Sequence, residues 1–315
     1  MSASAEVPDQ PAEAVLRCAP WEAIPASWRA AATTAVTMRR SSAAAFNLRG
    51  LRGRLDGADI VVCPDTTTAL RLRDGDLSAD LHLGSASFVQ LVEFIRDIVL
   101  KAAERGGAVQ LHAACAARDG RAVAIVGAKG AGKSTMMLDL VGRHGFRLVS
   151  GDKILVEWAG DGLTVRGWPD FPHLGVGTIL GHPALAAEVA ALGYDLDPAE
   201  PQRKLLLDPD VLERAFGLAY EPGPVPLSAV VLPEVARGGA AELFVLAHAD
   251  LEEAMRHVER TADNRWMGWH TFRTSVPAEV SAHSEAAVRP GLARLDWWRS
   301  AGRAPYPGVD KLVAA

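Results

Sequence analysis

The run "GAKGAGKST" at residues 127–135 constrains this chain more than any other. It fits G-x-x-x-x-G-K-[ST], in which Gly127, Gly130 and Gly132 take backbone angles closed to other residues. Successive N–H groups then turn inward around phosphate oxygens. The pattern has meaning only between a strand and a helix, and the flanks provide both. "RAVAIVG" is an extended run leading in, and "KSTMMLDLVGRHG" has the pattern of a helix closed by Gly145. The helix adds its partial positive N-terminus to the cradle. The expected nucleotide contacts are Gly127, Ala128, Lys129, Gly130, Ala131, Gly132, Lys133, Ser134 and Thr135. Lys133 is the residue placed to reach the β/γ-phosphates of ATP, and Ser134 the one to ligate Mg²⁺. Lys129 fits a second phosphate contact and a solvent-facing lysine equally well.

The chain has 33 Lys plus Arg, of which six are Lys, and three of these (Lys129, Lys133, Lys153) fall within or just after the loop. A Mg²⁺-nucleotide site needs a carboxylate at the end of a neighbouring strand, and "RLVSGDKILVE" supplies Asp152 directly after "FRLVS". The competing reading of Gly151-Asp152 is a plain turn. Lys153 is either a cation that holds Asp152 ionised or a solvated strand-edge residue.

The run "QLHAACAARDGRAVAIVGAKGAGKSTMMLDLVGRHGFRLVSGDKILV" resembles the core of the HPr kinase/phosphorylase family, closely over residues 86–170 and faintly elsewhere. His112 stands 15 residues before Gly127, matching the family's spacing. As a lone His at the end of an apolar strand, it fits a core position and a site-lining one equally. The resemblance implies an ATP-dependent phosphotransferase with Mg²⁺, passing the γ-phosphoryl group to the hydroxyl of a peptide, a protein serine or a small molecule of specialised metabolism. It also implies catalytic roles for Asp152, Lys133 and His112, with Ser134 and Asp152 at the metal. Family members carry two aspartates at the strand end, the first acting as base. Here Gly151 stands at that first position. The alternative reading is therefore a catalytically impaired nucleotide-binding partner, a pseudokinase. "VRGWPDFPHLGVG" and "QRKLLLDP" match the family less specifically. With Lys153, they add Arg166, Arg203 and Lys204 as candidate phosphate or acceptor contacts. HPr-type kinases are hexamers, so a homo-oligomer is implied as well.

The expected fold is α/β: a mixed, P-loop-containing sheet of the HPr-kinase C-terminal-domain type, with a smaller N-terminal α+β subdomain. The divisions fall at 1–14 (disordered), 15–85 (small subdomain with "DG" turns at 56–57 and 74–75 and a helix around "ASWRAAATTAV"), 86–262 (core) and 263–315 (helical or irregular, Trp-rich). Within the core, 86–107 has helical spacing, "AVQLHAACAAR" and "RAVAIVG" form a hairpin through Asp119-Gly120, and "KILVEWAG" turns at Asp161-Gly162 into "LTVRGWP". "HPALAAEVAALG", "DPDVLERAFG" and "DLEEAMRHVERT" are helix candidates, and "PLSAVVLPEV" and "AELFVLAHA" are strands. No later strand stands out as carrying a second site carboxylate, and no guanine-specificity motif occurs, which disfavours a switch NTPase. The aromatic cluster of Trp266, Trp269, His270 and Arg273 suits either a stacking surface or core packing.

Net charge of −5 gives no reason to expect nucleic acid or an anionic membrane as partner. The longest apolar run is too short and too charged for a bilayer. The N-terminus lacks a signal core, and Cys18, Cys63 and Cys115 show no C-x-x-C pairing. A cytoplasmic protein with reduced thiols is expected.

Overall fold

The computed structural model describes residues 15–39, 47–73, 78–128, 130–160, 162–167, 172–217, 220–221, 223–234, 241–258, 278–302 and 304–314. The fold is mixed α/β with two mixed sheets, of six and nine strands among these residues. They divide into two compact units, one up to Gly106 and one from Gly107 onward. The division lies after the helix at 88–105, whereas the sequence reading placed it at residue 85. The expected turn at 74–75 and the cluster Trp266, Trp269, His270 and Arg273 lie outside the described residues.

The first unit contains β1 (Leu16–Pro20), α1 (Ala26–Ala31), β2 (Thr34–Arg39), β3 (Asn47–Leu55), β4 (Ala58–Cys63), β5 (Thr68–Arg73), β6 (Ala79–Leu83) and α2 (Phe88–Arg105). The sheet order is β1-β6-β5-β4-β3-β2, with β1 parallel to β6 and the other neighbours antiparallel. Asp56 and Gly57 both have positive φ, the two-residue hairpin geometry that a D-G pair favours. Every residue of β4 is buried because both faces of the sheet are covered. Phe94 of α2 packs with Val61, Leu70 and Leu81, and Trp28 of α1 packs with Ile60 and Val62. The helix expected around "ASWRAAATTAV" stops at Ala31, and Thr34–Arg39 is a strand instead. The β-branched Thr34, Val36 and Thr37 favour extended backbone, and β2 pairs with β3.

The second unit carries the glycine-rich run. Its strands are β7 (Val109–Leu111), β8 (Ala114–Arg118), β9 (Arg121–Ile125), β10 (Arg147–Ser150), β11 (Ile154–Ala159) and β12 (Gly162–Gly167), with α3 (Lys133–His144) between β9 and β10. After them come β13 (His173–Gly175), α4 (Val176–Leu180), α5 (Pro183–Ala191), β14 (Lys204–Leu206) and α6 (Pro209–Phe216). The last elements are β15 (Val225–Glu234), β16 (Glu242–Val245), α7 (Leu251–Met255), α8 (Ala278–Arg294) and β17 (Asp296–Ala301).

The main order is β10-β8-β9-β15-β12-β11-β7, with β17 and then β16 joined to the free part of β15. β15 is ten residues long and is the keystone: its start pairs with β12, and its remainder runs parallel to both β9 and β17. α3 presses Met136, Met137, Leu138 and Leu140 into one face beside Val123, Ile125 and Val231. Burying such side chains contributes roughly 1.5–3 kcal/mol each. Val230, Leu232, Trp297, Val288 and Leu292 fill the opposite face. The sequence reading assigned the final 50 residues to helical or irregular structure. β17 corrects this, since "DWWRSA" is a strand whose aromatic pair divides between the two faces, Trp297 on one and Trp298 on the other.

Gly167 illustrates a close approach. A Cβ there would lie 1.6 Å from the carbonyl oxygen of Val149, so only glycine lets β12 end against β10. Gly167→Ala is expected to destabilise the protein by about 1–3 kcal/mol through this overpacking, read as a lower urea midpoint.

The three thiols are free; Cys18 is exposed while Cys63 and Cys115 are buried. Burial, with Asp65 adding to it, pushes the Cys63 thiol up to about 12, and burial raises that of Cys115 as well. A thiolate-trapping reagent at pH 8 should therefore modify Cys18 rapidly, and the other two only after denaturant is added. Prompt reaction of all three in the native protein would contradict this packing. No described helix is long and apolar enough to cross a membrane.

Candidate functional site

β9 is a fully buried strand from Ala122 onward, and Val126 extends it by donating its N–H to the carbonyl of Val231 at 3.0 Å. The chain then enters the glycine-rich loop, where Gly127, Gly130 and Gly132 have φ of 145°, 85° and 109°. These angles disfavour any residue with a Cβ, so the three glycines of the pattern meet a backbone requirement. Gly132 caps α3, leaving the N–H groups of its first turn facing the loop. Lys133 folds back over the loop and its Nζ donates to the carbonyls of Gly127 at 2.6 Å and Ala128 at 3.3 Å. Thr135 exchanges a 3.0 Å hydrogen bond with Thr178 of α4, which pins the first turn of α3 from outside. Lys129 lies outside the described residues.

Beside this turn lies a cleft lined by Ser134 and Met137 of α3, Leu148 of β10, and Gly151 and Asp152. Its other wall comprises His173 of β13, Lys204 of β14, Leu212 of α6 and Tyr220. The β13–β14 ribbon sets His173 and Lys204 on this wall through the pairs His173↔Leu206 and Gly175↔Lys204. Tyr220 is placed by a bridge to Leu148, with Glu221 N–H donating to the Leu148 carbonyl. Ser134 and Asp152 thus share one cleft although 18 positions separate them. Gly151 and Asp152 lie in the bend just after β10 ends at Ser150.

His112 sits at the joint between β7 and β8, and its Nε2 lies 3.2 Å from Oδ1 of Asp152. His112 is one-quarter exposed and Asp152 about half exposed, so the pair is open to solvent and to ligands. Lys153 is buried, not a solvated edge residue, and its carbonyl accepts from the Ser150 hydroxyl at 2.5 Å. That bond closes the tight turn which presents Gly151 and Asp152.

The remaining candidates separate. Lys204 lines the cleft and is exposed, with no ion pair among the described residues. Arg166 pairs with Glu157 across β12 and β11. Arg203 is clamped by Glu200 at 2.8 Å and Asp195 at 3.3 Å. Both arginines are thus committed to local carboxylates. His173 and Tyr220 were missed in the sequence because only the ribbon and the bridge bring them to the cleft. Glu234, at the end of β15, was not singled out either, although "PLSAVVLPEV" reads as a strand.

The donor set fits a magnesium-nucleotide. Mg²⁺ is held by one or two protein oxygens plus phosphate and water, and Ser134 and Asp152 offer a hydroxyl and a carboxylate in one cleft. No group of three or more His, Cys, Asp or Glu that could enclose a metal occurs among the described residues. No family model matches this chain, and no curated protein matches it.

Proposed function

We propose that this protein is an ATP- and Mg²⁺-dependent phosphotransferase of the HPr-kinase type, acting on a hydroxyl of a peptide, protein or small molecule. The observation that carries the reading is the cleft in which Ser134, beside the glycine-rich loop, faces Asp152, itself in contact with His112. The loop's N–H groups and Lys133 would hold the polyphosphate, and Ser134 and Asp152 would hold Mg²⁺. Bound there, the ion would neutralise charge on the phosphates. Asp152, with His112 against it, is the group near enough to orient an acceptor hydroxyl or take its proton. Lys204 and His173 on the opposite wall suit an acceptor with anionic character. Such transfer depends mainly on positioning and charge stabilisation, so a single carboxylate suffices in principle.

Gly151 favours a second reading, an impaired nucleotide-binding partner. A Cβ at Gly151 would meet only Met137 Cε, at 3.9 Å, so an aspartate there would fit. Its absence is not enforced by the backbone. The test is incubation of the purified protein with γ-labelled ATP, Mg²⁺ and an extract of its own cells. Label on a peptide, protein or metabolite supports the transferase. Saturable ATP binding without transfer supports the binding partner, and no ATP binding at all refutes both.

A further inference from the structure

β9, β15 and β17 are parallel neighbours, so their carboxyl ends form one edge, and the glycine-rich loop leaves from that edge. In open α/β sheets ligands bind outside the carboxyl ends of the strands. Two charged residues that the phosphate-loop pattern does not include sit there. Glu234 ends β15, and Arg299 lies on β17, paired in register with Leu232. Pro233, next to Glu234, would lie 3.9 Å from a Cβ on Gly127. Glu234 is thus one residue from contact with the loop.

The Arg299 Nε approaches Glu234 Oε1 at 3.4 Å, an ion contact without hydrogen-bond geometry. That Nε is buried, and Glu234 is the sole partner of the guanidinium among the described residues. The carboxylate is more than half exposed. Such a pair adds little to stability, and separating it costs correspondingly little. An arginine, with five donors suited to phosphate, stands at a phosphate-binding edge with its hydrogen-bonding capacity largely unused.

We propose that Arg299 is a phosphate-binding residue that Glu234 holds in reserve. An incoming polyphosphate takes the guanidinium from Glu234, whose carboxylate competes with it. This inference rests on the nucleotide reading above and adds a second cation, from a strand far from the loop in sequence.

The test is calorimetric titration of the full-length protein with ATP and Mg²⁺, comparing wild type, Arg299→Ala, Arg299→Lys, Glu234→Gln and the double variant Glu234→Gln/Arg299→Ala. Loss of the arginine is expected to weaken binding about tenfold, as for a lost charge-assisted hydrogen bond, with Arg299→Lys recovering part. Glu234→Gln is expected to tighten binding about threefold by removing the competitor, and the double variant to match Arg299→Ala. Thermal unfolding of each variant checks the fold. Two folded single variants both within twofold of wild type would reduce the pair to a surface ion pair and overturn the proposal. Glu234→Gln that weakens binding as Arg299→Ala does would overturn the competition, with the carboxylate aiming the arginine instead. If wild type binds no ATP, the nucleotide reading itself fails, and this inference with it.

Discussion

Lys133→Ala should weaken binding of ATP with Mg²⁺ by about a hundredfold, on the scale of about 3 kcal/mol for a charge-assisted contact in a partly closed site. The lysine is already folded over the loop, its Nζ on the carbonyls of Gly127 and Ala128, so little ordering remains when phosphate arrives. The substitution also unpairs those two carbonyls, that of Ala128 at an exposed position and that of Gly127 at a buried one. Calorimetry or a fluorescent nucleotide gives the affinity, and circular dichroism and thermal unfolding should be close to wild type. Affinity within a few-fold of wild type would mean that the loop is a glycine-rich turn and not a phosphate site. Arginine at this position should not restore binding, because its planar fork does not fit the place of a compact ammonium.

Gly151→Asp addresses the reaction itself. The position has φ outside the left-handed region and open space for a side chain, so the variant should fold with stability changed by about 1 kcal/mol at most. Its carboxylate would enter the cleft beside Ser134 and Asp152. If proton removal from the acceptor limits the natural protein, an added base should raise transfer by about 10²–10⁴-fold, measured as initial rates with labelled ATP. Such a gain would identify the natural protein as impaired or retuned. An unchanged or lower rate in a protein that already transfers phosphate would assign the proton-handling role to Asp152 and His112. A second carboxylate would then only crowd the first with like charge.

The two results are complementary. Loss at Lys133 reports whether phosphate is held, whereas gain at Gly151 reports what limits its transfer. Nucleotide affinity in Gly151→Asp should stay near wild type, since residue 151 is no part of the loop.

What the sequence determined by itself was local. The three glycines, the strand before them and the helix after them follow from the spacing of "GAKGAGKST" and its flanks, because positive φ and helix capping are properties of a few consecutive residues. The Asp56-Gly57 and Asp119-Gly120 hairpins were legible for the same reason, and all four of these residues have positive φ. The end of α1 and the strand β17 were not legible. At α1 the β-branched Thr34, Val36 and Thr37 and pairing with the next strand, β3, ended the helix, whereas β17 forms by pairing with β15, far away in the chain. The tertiary structure alone decided which charges serve the cleft. Arg166, Arg203 and Lys204 are alike in sequence, yet nearby carboxylates take the first two and the β13–β14 ribbon presents the third. It also decided that His112 meets Asp152 across 40 positions, and that Glu234 and Arg299 share an edge with the loop. Such juxtapositions depend on sheet order and register, which long-range packing fixes and no short stretch of residues encodes.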